Sequence, residues 1–405
     1  MTTNKNHNSP NVPNLRFPEF QGEWEELGLS ELLDFKNGLN PKLDKFGKGI
    51  KFISVMDILN NAVITYDCIK ASVDVTEKEL SDFSVEKGDI LFQRSSETLE
   101  DVGRANVYMD DKTAVFGGFV IRGKKKGEYD PQYFNYLLRS PFARKRIVPM
   151  GAGAQHFNIG QEGLSKVNLH FANIKEQKKI GKMFSLLDER IATQNKIIED
   201  LKKLKSAIIE EHYRQTEKNE VCVADLGNHF NVGNLAKDDL SETGKPCIIY
   251  GELFTTYGEI ISQIESHTNK TEGMILSKKG DLLFPSSTTV DAVSLIAPSV
   301  INVDNVILGG DMFGIHISHN YNAQYLSYYF NHIAKKQLAK FAKGSTIIHL
   351  HYTDIEKAKL LLPSLEEQNR MAKCLVALDK KVSVEQNLLS SLTCQKSYLL
   401  QQMFI

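Results

Sequence analysis

The sequence predicts an α+β fold with a pseudo-twofold internal repeat: two similar mixed α/β domains separated by two long antiparallel helices that form a coiled-coil spacer. Three observations predict it. Between Ile174 and Tyr213 the apolar residues Ile180, Phe184, Leu187, Ile191, Ile198, Leu201 and Ile208 follow a 4-3 spacing, the seam of a helix built to pack on another helix. The seam returns near the C-terminus as Met371, Leu375, Leu378, Val382, Leu389, Leu392 and Leu399, each 191 residues after its partner, and the polar breaks Gln194 and Lys205 recur at that offset as Glu385 and Lys396. The stretches ahead of the two seams also repeat: Lys87-Gly-Asp-Ile-Leu-Phe92 as Lys279-Gly-Asp-Leu-Leu-Phe284, Gly117-Gly118 as Gly309-Gly310, and Gln132-Tyr-Phe-Asn-Tyr136 as Gln324-Tyr-Leu-Ser-Tyr328, all at an offset of 192. About forty residues at 1.5 Å each make a spacer roughly 60 Å long.

A chain of 405 residues exceeds one ordinary core, and the duplication supplies the two domains. The formal charge of −1 means that the chain as a whole is no polycation, so any nucleic-acid surface must be local. Five scattered cysteines without a Cys-x-x-Cys pair fit reduced thiols in a cytoplasmic protein and exclude a zinc knuckle or disulfide frame. The polar leader Met1–Pro13 reads as neither a signal peptide nor a membrane anchor, and no apolar run is long enough to span a bilayer.

In chain order, residues 1–26 form an N-terminal segment expected to pack near the C-terminal helix through Trp24, the only tryptophan. Residues 27–150 form the first domain, with its clearest strands at Ile50–Val55 and Asp89–Phe92 and a closing helix over Pro131–Val148 that Pro141 should break or kink. Residues 151–217 carry the first long helix, residues 218–345 the second domain, and residues 346–405 the second long helix. The junctions repeat as well: Gly153-Ala-Gln-His-Phe157 answers to Gly344-Ser-Thr-Ile-Ile348, and Glu176-Gln177 to Glu367-Gln368. Scaffold positions are shared while the loops between them differ, the pattern of two related binding domains that read different ligands.

The usual catalytic constellations are missing. There is no phosphate loop, no Gly-x-Ser-x-Gly elbow and no Asx-Pro-Pro-aromatic tetrapeptide, and His349-Leu-His351 lacks further ligands at metal spacing. Nucleic-acid contacts are better supported. Lys36, Asn37, Asn40, Lys42, Lys45 and Lys48 cluster in one loop, Arg94-Ser95-Ser96 leave the repeated strand, and Arg144 and Lys145 lie on or beyond the closing helix. In the second copy Asn231, Asn234 and the run Ser286, Ser287, Thr288 and Thr289 hold the corresponding places, and Lys237, Lys245 and Lys336 are among the cations that this copy must rely on. No arginine stands between Arg214 and Arg370, so this copy cannot use the bidentate arginine-to-guanine contact and is expected to favour adenine readout. The polar seam residues have two readings, register control of the helix pair or contact with partner subunits.

On the two Gly-Asp-(Ile/Leu)-Leu-Phe strands, Gly344-Ser345-Thr346, Pro363-Ser-Leu-Glu-Glu-Gln368 and the Leu-Asp pairs Leu187-Asp188 and Leu378-Asp379, the chain resembles the specificity subunit of type I restriction-modification systems over nearly its whole length. The resemblance implies a non-catalytic subunit with two target recognition domains, each reading part of an interrupted, asymmetric double-stranded DNA site. It also implies a helical spacer that sets the gap and docks two methyltransferase subunits, which bind S-adenosylmethionine while this chain holds no cofactor or metal, and restriction/translocase subunits that join the core. A stand-alone methyltransferase or nuclease, and a coiled-coil scaffold without a DNA role, are the alternatives. Gly38-Leu39-Asn40-Pro41 and Gly233-Asn234-Leu235 depart from the family's frequent Gly-x-Thr-Pro, and Gly153-Ala154-Gln155 from its Gly-Ser-Thr.

Overall fold

The computed structural model describes residues 2–3 and 11–405, so most of the polar leader lies outside the described residues. Two compact units result, residues 1–196 with 387–405, and residues 197–386. The central helix, Ile174–Gln215, and the C-terminal helix, Leu365–Gln402, each contribute a stretch to both units. The spacer is therefore no separate body. In unit 1 a single apolar core joins Tyr133, Phe134 and Leu137 of the domain to Ile180, Phe184, Leu399, Met403 and Phe404 of the helices. In unit 2 Tyr325, Leu326 and Tyr328 join Ile209, Met371 and Leu375 in the same way.

The domain of unit 1 is built on two four-stranded sheets. The first is antiparallel, in the order Ala105–Val107, Ile90–Gln93, Val120–Lys125, Leu33–Asn37. The second runs Ser72–Val73, Phe46–Ile53, Ala114–Phe116, Ser84–Val85, with its central pair parallel. Two strands differ from the sequence expectation. The strand expected at Ile50–Val55 spans Phe46–Ile53 and stops where Ser54 caps the helix Val55–Asn60, the Asp57 carboxylate accepting from Ser54 N at 2.7 Å. The strand expected at Asp89–Phe92 spans Ile90–Gln93, because the Asp89 carboxylate holds the preceding turn by accepting from Glu86 N and Lys125 N, each at 3.0 Å. The closing helix breaks as Pro141 requires, into Pro131–Arg139 and Pro141–Ile147, with Ser140 capping the second piece.

The first turn of the central helix is locked to this domain. Gln177 accepts from Asp130 N at 2.9 Å and donates to Ala172 O at 2.7 Å, while the Tyr136 hydroxyl donates to Asp188 at 2.8 Å. Lys396 of the C-terminal helix reaches the same carboxylate at 2.5 Å and stands 5.7 Å from the Tyr136 ring centre. Trp24 packs edge-on to Tyr133 and Phe404 at 6.1 and 6.3 Å, and Glu25–Gly28 pairs with Asn168–Phe171. Arg16 clamps the fully buried Glu176 through two hydrogen bonds of 2.7 and 2.8 Å, the bidentate geometry that a buried carboxylate needs.

Unit 2 repeats this plan. Its first sheet, Gly227–Asn231, Met312–Ile317, Asp281–Pro285, Ser299–Ile301, gains a fifth strand at Ile260–Ile261. Its second runs Leu240–Ser241, Ser266–Thr268, Lys245–Ile249, Ile307–Gly309, Ile275–Leu276. Gln368 accepts from Asn322 N and donates to Pro363 O, both at 2.9 Å, and Asp379 accepts from the Tyr328 hydroxyl and from Lys205, the latter at 2.9 Å. Where unit 1 has Arg16 on Glu176, unit 2 has His212 on Glu367 at 3.1 Å.

Within unit 1 Asp188 meets Lys396 and Phe184 meets Phe404, and within unit 2 Lys205 meets Asp379 and His212 meets Glu367, so the helices run antiparallel in each. Of the seam, Ile180, Phe184, Ile198, Met371, Leu375, Val382 and Leu392 are buried, and Leu187, Ile191, Leu201, Leu378 and Leu389 are half-buried. The polar breaks Gln194, Lys205 and Glu385 are buried too. Register control is the reading that this burial supports.

Candidate nucleic-acid interface

The repeated Gly-Gly pair is a place of close approach. A Cβ on Gly38 would lie 2.0 Å from Gly117 O, and one on Gly118 would lie 1.9 Å from Asn40 Oδ1, so only glycine lets the Gly38–Asn40 loop sit there. Leu39 N donates to Phe116 O at 2.9 Å and fixes the loop, leaving Asn40 exposed. Arg94 joins it, its amide donating to Phe119 O at 2.9 Å and its guanidinium to Gly118 O at 3.3 Å. Asn40, Arg94 and Phe119 thus share one edge of the domain.

The other candidates in this domain fall into three groups. Lys42 and Asn37 are exposed, and Lys42 has no ion pair among the described residues. Lys36, Lys45 and Lys48 are already paired, with Asp82 at 3.2 Å, Glu79 at 3.5 Å and Asp74 at 3.5 Å, exposed bonds weak enough for a phosphate to displace. Ser95 and Ser96 pair as a short strand with Phe157–Asn158, and Arg144 donates to Glu100 O and Val102 O at 2.8 and 2.6 Å. Arg144 is half-buried, and these bonds brace a turn of its own domain. Lys145 is exposed, 6.0 Å from the Phe142 ring centre.

The second domain builds the same edge from other side chains. Gly310 N donates to Gly233 O at 3.0 Å, and Ser286 N donates to Asp311 O at 2.7 Å. Asn234, Ser286 and Asp311 therefore hold the places of Asn40, Arg94 and Phe119. Ser286 and Ser287 are each 5 % exposed, so they are not free contacts, as the sequence reading had them: Ser287–Thr288 pairs with Ile348–His349, and strand pairing draws both serines inward. Thr288 is half-buried, and Thr289 and Val290 are the exposed residues of that turn. Asn231, Lys237, Lys245 and Lys336 are exposed, the three lysines without ion pairs among the described residues. His349 and His351 stack with ring centres 6.2 Å apart, and no group of three or more metal-ligating side chains is found among the described residues.

Sequence reasoning missed Phe119, which is 69 % exposed, and the exposed Met56 that lines the same groove. The only available signal was position, since Phe119 follows the repeated Gly-Gly pair where the second copy has Asp311.

One backbone frame used twice, with unlike side chains at equivalent edges and each copy rooted on the same two helices, defines a duplicated binding-domain protein. The chain belongs to the type I restriction modification DNA specificity domain family, whose model matches residues 21–203 and 216–393, one match per copy. It is 24 % identical over 390 residues to the MjaX type I restriction enzyme specificity subunit of Methanocaldococcus jannaschii, covering 91 % of this chain and 89 % of that one. To the MjaVIII specificity subunit of the same organism it is 22 % identical over 410 residues, covering 94 % and 91 %. The fold is shared with the S subunit of a type I restriction-modification system from M. genitalium, at 17 % identity and a TM-score of 0.61 over 97 % of this chain and 99 % of that chain. A chain from a structural study of complex assembly in the type I R-M system matches at 13 % identity and a TM-score of 0.57, over 93 % and 96 %.

Proposed function

We propose that this chain is the DNA-specificity subunit of a type I restriction-modification assembly and leaves catalysis to its partners. Each domain reads one half of an asymmetric, interrupted DNA site. The helix pair fixes the unread gap and carries two methyltransferase subunits, to which S-adenosylmethionine binds, and restriction/translocase subunits join that core.

The observation that carries this reading is the matched pair of edges. A frame that sets Asn40, Arg94 and Phe119 in one copy and Asn234 and Asp311 in the other can present two different sequence preferences on one scaffold. Arginine suits guanine and asparagine suits adenine, while Lys42, Lys237 and Lys245 suit the phosphates. Exposed apolar side chains on the helices, Leu186, Leu204, Val384 and Tyr398, support docking of partner subunits there.

The test is to express the chain with the methyltransferase subunit of its own locus and map methylated adenines in host DNA with and without it. A bipartite methylated motif that appears only with the chain is the expected result. Methylation at the same motif in its absence would defeat the proposal.

A further inference from the structure

Between the helices Pro131–Arg139 and Pro141–Ile147 and the turn that carries Glu100 and Arg104, the domain of unit 1 forms a cavity of about 650 Å³ that opens to solvent. Its walls carry Arg104, Arg139, Arg144 and Lys145 against one acidic residue, Glu100. Arg104 pairs with Asp101 at 2.6 Å. Neither Arg139 nor Arg144 has a carboxylate within ion-pair distance among the described residues; they donate to backbone carbonyls, Arg139 to Asn61 O at 3.3 Å, and the buried Nη1 of Arg144 has no partner. Burial lowers both guanidiniums, and with Arg104 adding its charge Arg144 is brought down to about 10. Crowded, partly desolvated cations without counter-charges are costly, and an anion in the cavity relieves that cost.

The second copy carries a different set of side chains at these places. At the 192 offset Ile296 stands for Arg104 and Asn331 for Arg139, and at the 191 offset of the junction Lys335 and Lys336 stand for Arg144 and Lys145. Two of the four cations, Arg104 and Arg139, are therefore peculiar to the first copy.

We propose that this cavity is an oxyanion site that takes a phosphate group, supplied by the DNA backbone or as free phosphate, the DNA source resting on the function proposed above. Guanidinium forks match phosphate oxygens two at a time, and the apolar Ile58, Leu59 and Leu138 suit the sugar beside a backbone phosphate.

The test variant is Arg104→Gln with Lys145→Gln, both exposed side chains, in the full chain assembled with its methyltransferase subunits. With DNA as the source, the slope of log affinity on log salt becomes shallower by about 1, equally on all sequences and with the recognised bases unchanged. With free phosphate as the source, calorimetry at constant ionic strength shows inorganic phosphate binding to the wild-type assembly and not to the variant, while the salt slope stays the same. An unchanged slope together with no phosphate binding overturns the proposal. Sequence-specific DNA binding by the wild-type assembly, read in the same experiment, reports separately on the proposed function.

Discussion

Lys205 Nζ lies 2.9 Å from Asp379 Oδ1, and the same carboxylate accepts the Tyr328 hydroxyl, with the ammonium 5.4 Å from the tyrosine ring centre. The twin of this triad in unit 1 is Lys396, Asp188 and Tyr136. Each triad ties a lysine of one long helix to an aspartate of the other and to the helix that closes a domain. That explains why the lysine interrupts an apolar seam at the same place twice: a charge that is paired and hydrogen-bonded on both sides fixes register and holds the domain on the helices.

Asp188→Ala removes the one carboxylate that Lys396 contacts among the described residues and leaves a partly buried ammonium uncompensated. The expected cost is about 3 kcal/mol. Asp379→Ala costs less, because Lys205 keeps Glu259 at 2.9 Å. Denaturant midpoints of the two variants check this, and equal losses would count against it.

Glu259 accepts from Lys205 and contacts His332, each at 2.9 Å. Burial raises its carboxyl, but the His332 hydrogen bond and the Lys205 charge outweigh that, and it is pushed down from 4.5 to about 2. A depressed carboxylate contributes stability that is complete above the unfolded value and is lost as pH falls through the folded one. The stability difference between wild type and Glu259→Gln should therefore be constant above about pH 5 and shrink, by on the order of 3 kcal/mol, between pH 4.5 and pH 2. Equilibrium unfolding across that range measures it, and a difference that does not change with pH would contradict the assignment.

Arg94→Gln and Gly118→Ala are expected to relax base preference in the first half-site alone, the second because its new Cβ displaces Asn40. Asn234→Ala is expected to act on the second half-site alone. A wrong base at a well-read position costs about 1–3 kcal/mol, so losing one contact should lower discrimination there roughly tenfold. Methylation mapping of each variant reads both halves at once.

The helix pair and the duplication were legible because side-chain period and offset survive in sequence. The triads were legible only in pieces: Lys205 and Lys396 as breaks in a seam, Asp188 and Asp379 as Leu-Asp pairs, Tyr136 and Tyr328 in a repeated pentapeptide. Their convergence joins residues 51 to 208 positions apart, and no local pattern encodes that. At the candidate site Asn40, Lys42 and Asn234 stand exposed as residue type suggests. Ser286, Ser287 and Arg144 do not, because strand pairing and carbonyl acceptors claim polar groups that sequence alone assigns to solvent. The exposure of Phe119 runs against its type and needed the coordinates.

The most direct test of a helical spacer that fixes the gap is to insert one heptad after Lys196 and one after Gln386, where each helix passes from one unit to the other. Seven residues preserve the seam and lengthen each helix by about 10 Å, the rise of about three base pairs. Mapping methylated adenines in cells carrying this variant should show both half-sites unchanged and the unread gap about three base pairs longer. An active variant with the original gap would contradict the account.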